Sequence, residues 1–201
     1  MKSSWIAFSA VMVILVLAAG CASTAPQGAG TLATPTPSGP VPSGVQTVSS
    51  SGSFVLHVAD LKPGDPLPAV YTCVGTSESP PVTWENVPAG TKSLALVLDD
   101  PDAQSFTHWI VFNIPPDVHE LARAQPDAKV LSNGAQIGDN TAGSRGYYPP
   151  CPPPGAAHRY RFRLYAVDMD ITQPTADRDS IDWALIDHTL GRAEFVTTYK
   201  R

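Results

Sequence analysis

The chain has 201 residues, with 13 basic and 18 acidic side chains and a formal net charge of −5. That length holds one domain of ordinary size once an N-terminal leader is set aside. It carries no basic run, which argues against nucleic acid as a partner and against a polybasic face lying on a membrane.

Residues 1–21 read as an export signal: Lys2 supplies the positive start and residues 5–19 are an apolar run. Leu17, Ala18, Ala19, Gly20 and Cys21 then resemble a lipoprotein signal-peptidase site, with Ala18 where Leu is usual. Cleavage there would leave Cys21 acylated and the protein held at the extracytoplasmic face of the cell membrane. The alternative is an ordinary cleaved signal or an uncleaved anchor. Residues 22–52 have no charged residue and are rich in Ala, Ser, Thr, Pro and Gly. Such a stretch cannot bury enough apolar surface to order itself, and is expected to be a disordered tether spanning roughly 30 Å.

The folded domain is expected over residues 53–201. Residues 54–58 alternate like a strand, residues 63–66 form a turn, and residues 80–84 lead to a turn at 88–90. Residues 92–102 put Leu94, Leu96, Leu98 and Asp100 on one face of a strand. After a short loop, residues 108–114 put His108, Ile110, Phe112 and Ile114 on one face. If the chain turns back between them, Asp100 and His108 share one end of the sheet. Residues 115–155 are long and rich in Gly and Pro, the pattern of a functional loop region. In residues 158–166, His158 and Tyr160 lead into Phe162, Leu164 and Ala166, while Arg159, Arg161 and Arg163 are expected on a solvated opposite face. Residues 179–191 are the one good helix candidate, with Asp179 or Ser180 as N-cap, Ile181, Ala184, Leu185 and His188 on one stripe, and Gly191 past the end. Residues 193–199 read as a last strand. The expected fold class is mostly β with a small C-terminal helix.

Two cysteines remain beside Cys21. Cys73 and Cys151 form an even pair in an oxidising compartment and are expected to make a disulfide; the alternative is two separate buried thiols. Neither has a Cys or His neighbour at ligand spacing, so a zinc site is not expected.

Asp100, Pro101, Asp102 and Ala103, then His108 and Trp109, then residues 150–155 beginning Pro150 and Cys151, then His158, Arg159 and Tyr160 together resemble the phosphatidylethanolamine-binding protein family, in its bacterial Raf-kinase-inhibitor-like branch. Tyr71, Cys73, Ser79 and Trp84 fit the same branch, and the resemblance runs over residues 54–199. It implies a β-sandwich with a small C-terminal helix and a pocket for phosphate, phosphoethanolamine-like head groups or acetate. The pocket residues it implies are Asp100, His108, His158 and Tyr160, with Asp102 near the rim and residues 147–150, including Pro150, as one wall. Pro149 stands where the family usually has Gly, removing a backbone N–H that could help hold an anion; Val74 stands where an acidic residue is common.

The expected function is therefore non-catalytic binding of a small anion or phospholipid head group. Two His and an Asp could also form a metal set or orient a nucleophile, but no Gly-x-Ser-x-Gly elbow is present and no metal or cofactor is expected. The alternative is an interaction or inhibitor module using the same pocket and the 115–150 loop against a protein target or a second copy. Binding is expected to tighten as pH falls from about 8 to about 6, where histidine titrates.

Overall fold

The structure is a computed structural model describing residues 52–172 and 175–201. The expected export signal, Cys21 and the tether through residue 51 lie outside the described residues. Two antiparallel sheets face each other. The smaller has strand order β1-β2-β5, with β1 Val55–Val58, β2 Val82–Glu85 and β5 Glu120–Leu121. The larger has order β6-β4-β3-β7-β8, with β3 Ser93–Asp100, β4 Phe106–Ile114, β6 Gln136–Ile137, β7 His158–Val167 and β8 Thr189–Tyr199.

The alternation in β1 and β2 buries Leu56, Val58, Val82 and Trp84 against Leu94, Leu96, Leu98, Phe162 and Leu164 of the larger sheet. Each large side chain removed from water contributes about 1.5–3 kcal/mol. The other face of the larger sheet packs Ala95, Val97, Ile110 and Phe112 under a single helix, α1 Arg178–Leu185, through Ile181, Ala184 and Leu185. Both faces of β3 are covered, so all eight of its residues are buried. The architecture is the expected β-sandwich with one small helix.

Two boundaries differ from expectation. Asp177, rather than Asp179 or Ser180, caps α1, its carboxylate accepting from the Ser180 N–H at 2.9 Å. The helix stops at Leu185, because Ile186 is extended and Asp187 is left-handed at φ 63°. His188 is therefore outside the helix and pairs with Asp168 at 2.8 Å. Gly191 lies inside β8, paired with Ala166, where a Cβ would come within 2.8 Å of the Pro88 ring. The 115–155 stretch is mainly loop, but it supplies the short strands β5 and β6.

The alternation expected in β4 is broken twice. Leu98 pairs with Trp109 and Asp99 with Thr107, so His108 is an extra residue on β4. Leu94 pairs with Ile114 and Leu96 with Val111, so Asn113, at φ 51°, is a second bulge. Its side-chain amide bonds the backbone of Ile171 in both directions, at 2.7 and 3.0 Å. Ile110 and Phe112 consequently face the helix side, while His108 and Ile114 face the inter-sheet side with Trp109 and Val111.

The arginine face is also not a solvated one throughout. Asp99 is fully buried on the helix side, bonded by Arg161 at 3.0 Å twice, by Arg178 at 3.1 Å, and by Arg163. Burial by itself would raise this carboxyl; the hydrogen bonds of Arg161 and Arg178 and the charge of Arg163 outweigh it and hold the group below its usual range. Only Arg159 remains largely exposed.

Cys73 and Cys151 are joined as a disulfide, with Cα atoms 5.4 Å apart across 78 residues of sequence. Closing a loop of that length contributes about 4–5 kcal/mol by restricting the unfolded chain. No helix among the described residues is long and apolar enough to cross a membrane.

Candidate functional site

The β3–β4 connection brings the first pocket group into place. Asp100 ends β3, and its Oδ1 accepts from the backbone N–H groups of Asp102 and Ala103 at 2.9 and 3.1 Å, capping a 3-10 turn over Pro101–Ala103. Gln104 and Ser105 then take left-handed backbone and reverse the chain into β4. The bulge at His108 sets that ring on the inter-sheet face, at the same cavity as Asp100. β7 runs alongside and contributes His158 and Tyr160.

These four side chains line one cavity of about 230 Å³, with Ala103, Phe106, Tyr148, Cys151, Pro152 and Pro153 as its other walls. Asp100, His108 and Tyr160 are buried, at 2, 4 and 1% exposure. Asp100 Oδ2 accepts from His158 Nδ1 at 2.7 Å. His108 Nδ1 donates to the Tyr148 carbonyl at 2.8 Å, and the Tyr148 N–H donates to the His108 carbonyl at 2.8 Å. A carboxylate and a carbonyl can only accept, so both rings carry their proton on Nδ1 and keep Nε2 free. The His108 ring stands edge-on to Tyr160, with centroids 5.3 Å apart, and packs against Phe106 at 4.8 Å.

Tyr160 Oη is buried beside the Asp100 carboxylate but makes no hydrogen bond within 3.5 Å among the described residues. A buried hydroxyl without a partner carries a desolvation cost of about 1–3 kcal/mol, which a ligand oxygen would relieve. Burial first, and then the Asp100 carboxylate, push this hydroxyl well above its ordinary value, so it is a donor at any physiological pH. Burial likewise pushes His108 below the usual imidazole value, against the opposing pull of the Tyr148 carbonyl and of Asp100. Among the described residues, no lysine or arginine lines the cavity.

Asp102 and Pro150 take other places. Asp102 sits outside the lining and chelates Arg159, through its side chain at 2.7 and 3.0 Å and its backbone N–H at 2.8 Å. The Arg159 hydrogen bonds hold the Asp102 carboxyl down at about 2. Pro150 is buried, and its carbonyl accepts from the Cys73 N–H at 3.1 Å. Of the 147–150 wall, only Tyr148 reaches the cavity; Tyr147 turns away to donate its hydroxyl to the Tyr71 carbonyl at 2.6 Å and to stack edge-on against Trp109. Pro149 is not among the lining residues.

Sequence reasoning passed over Phe106, whereas Ala103 and Pro152 lie within the motifs that carry the family resemblance. Phe106 sits two residues before the strand as read, and only the hairpin register, Asp100 opposite Phe106, reveals it. Among the described residues, no three His, Cys, Asp or Glu side chains are placed to hold a metal ion. Asp100 accepts from two backbone N–H groups and from His158. A larger cleft of about 720 Å³ near Lys129, Asp139 and Arg145 contains none of the unpartnered buried polar atoms found among the described residues, and its Arg145 pairs with Asp139 at 3.4 Å.

A family model described as phosphatidylethanolamine-binding protein matches residues 57–200. A UPF0098 protein of Methanothermobacter thermautotrophicus is 48% identical over 139 residues, covering 67% of this chain and 91% of the relative. LppC of Mycobacterium tuberculosis, whose name marks it as a candidate lipoprotein, is 38% identical over 141 residues, covering 68% of this chain and 67% of LppC. Among solved structures, the phosphatidylethanolamine-binding protein homologue CT736 of Chlamydia trachomatis superposes with a TM-score of 0.66 at 34% identity, covering 74% of this chain and 98% of that one. The chain belongs to the phosphatidylethanolamine-binding protein family.

Proposed function

We propose that the domain is a non-catalytic binding protein for a small anion or phosphorylated head group, carried on the extracytoplasmic face of the cell membrane by acyl chains on Cys21. The observation that carries the binding reading is the unpartnered, buried hydroxyl of Tyr160 at a cavity shared with two imidazoles whose Nδ1 atoms are already committed. The Tyr160 hydroxyl and the two imidazoles line the same cavity, which is where a phosphate or carboxylate oxygen would sit. The apolar walls from Phe106, Pro152 and Pro153 favour a small carbon-bearing group beside it.

Catalysis finds little support in the same geometry. The nearby hydroxyl of Thr107 lies on the strand face of Asp99, away from His158, because Thr107 pairs with Asp99 beyond the bulge. Thr107 therefore offers the His158–Asp100 pair no nucleophile.

The test is a calorimetric titration with inorganic phosphate and O-phosphoethanolamine, of the wild type beside His158→Ala and Tyr160→Phe. Saturable binding weakened by both substitutions supports the reading, and absence of binding by the wild type refutes it. The anchor is tested separately: Cys21→Ala should move the protein from the detergent phase to the aqueous phase, and an unchanged partition would refute lipidation.

A further inference from the structure

We propose that the Cys73–Cys151 disulfide is a thiol-exchangeable latch on the ligand cavity, with Arg201 stabilising the Cys151 thiolate when the bond opens. This rests on the ligand-binding reading above and names a control on the same site.

The bond is placed for this in three respects. Cys151 is exposed and is itself part of the cavity wall, and Cys73 is half-buried. The guanidinium of Arg201 donates to Cys151 Sγ at 3.4 Å, and a facing cation favours a thiolate. The disulfide also joins the segment around Tyr71 to the segment that carries Tyr148, Pro152 and Pro153. Tyr148 holds the His108 ring through its carbonyl, so the latch governs both the wall and the orientation of one ligand-facing imidazole.

Opening the bond leaves the frame standing. Neither cysteine lies in a strand or in α1. The two segments keep the bond from the Tyr147 hydroxyl to the Tyr71 carbonyl at 2.6 Å and that from the Cys73 N–H to the Pro150 carbonyl at 3.1 Å. Reduction therefore loosens the wall without dismantling the sandwich.

The reductant is a dithiol. Its thiolate attacks Cys73 Sγ, forming a mixed disulfide and expelling Cys151 as the thiolate facing Arg201. The second thiol of the reductant then attacks its own sulfur in the mixed disulfide and releases Cys73. The dithiol is oxidised to a disulfide, the protein gains two electrons, and the two protons given up by the dithiol end on the two cysteines. A better-stabilised leaving thiolate departs faster.

The experiment uses the full chain in detergent, with dithiothreitol as reductant and inorganic phosphate as ligand. The reduced protein keeps its far-ultraviolet spectrum and binds phosphate about fivefold more weakly, the scale of one lost hydrogen bond, and reoxidation restores affinity. A Cys73→Ser, Cys151→Ser double variant reproduces the weakened state. Arg201→Gln slows reduction roughly threefold, as a poorer leaving group requires, and leaves oxidised-state affinity unchanged. Equal affinity before and after reduction, loss of the folded spectrum on reduction, or an unchanged reduction rate in Arg201→Gln overturns the latch while leaving the binding reading intact. Failure of the oxidised wild type to bind phosphate overturns the binding reading and the latch with it.

Discussion

Acid pH should tighten anion binding, and the size of the effect follows from how the two imidazoles are held. His108 gives its Nδ1 proton to Tyr148, and His158 gives its own to Asp100. A ring that is neutral with its proton on Nδ1 shows the cavity an Nε2 lone pair, which has no proton to give an anion oxygen. Binding must bring a proton to Nε2. Burial is the largest influence on His108 and disfavours its charged form; the Tyr148 carbonyl and the carboxylates of Asp100 and Asp99 oppose it, and the charge of His158 adds to it. The remaining neighbours, Phe106 and Tyr160, bring no charge near neutral pH. The free protein near pH 7.5 therefore holds His108 neutral. For one proton taken up on binding, affinity changes by close to tenfold per pH unit, about 1.4 kcal/mol, at any pH above the free-state pKa. Acetate stays ionised throughout the range of interest, so its own titration does not intrude. Its affinity should rise about 30-fold from pH 8 to pH 6.5 and go on rising below that, where an unperturbed imidazole would level off. The window is thus extended to lower pH than the sequence alone indicates. The assay is calorimetric titration at a series of pH values in two buffers of different ionisation heat, which reads proton uptake directly. His108→Gln should flatten the slope. Affinity independent of pH, or zero proton uptake, would refute the reasoning.

Further outcomes follow from the same structure. A His kept neutral by burial binds its proton more readily in the unfolded chain, so fold stability should fall as pH drops below about 6.5 and level off below the folded-state value; urea denaturation across that range, with His108→Gln as control, checks this. Asp99→Ala leaves three arginines around a buried, uncompensated site and should cost about 3–5 kcal/mol in a urea melt, whereas Asp102→Ala, on an exposed pair, should change stability by less than about 1 kcal/mol. Trp84 is buried between the sheets and donates its indole N–H to the Val118 carbonyl at 3.1 Å, so Trp84→Ala should lose about 3–5 kcal/mol by the same measurement.

The central strands were legible because their faces are unbroken. Leu94, Leu96, Leu98 and Asp100 on β3, and His158, Tyr160, Phe162 and Leu164 on β7, keep strict alternation, and both stripes end at the cavity as the sequence pattern implies. β4 misleads because a bulge costs nothing visible in hydrophobic pattern. His108, Ile110 and Phe112 look like one face, yet the extra residue at His108 sets it on the face opposite Ile110. Asp100 and His108 still share one end of the sheet, because the hairpin brings them there whichever way β4 is phased. Asp99 was missed because a charge at an odd position between two buried leucine-side residues reads as solvent-facing. Only the third arginine, Arg178, arriving from α1, closes the cage around it. Pro150 and Asp102 were placed by resemblance to the family, and each serves the scaffold of the pocket rather than its lining.

The claim that the cavity is built to receive a ligand turns on one oxygen atom, and Tyr160→Phe tests it. Stability and affinity for O-phosphoethanolamine should be measured on the same preparation. Removing an unpartnered buried hydroxyl should leave the free protein unchanged or up to about 1–2 kcal/mol more stable, while weakening binding about fivefold or more. A destabilised variant that binds as tightly as the wild type would make the hydroxyl a structural group and contradict the assignment of the cavity as a ligand site.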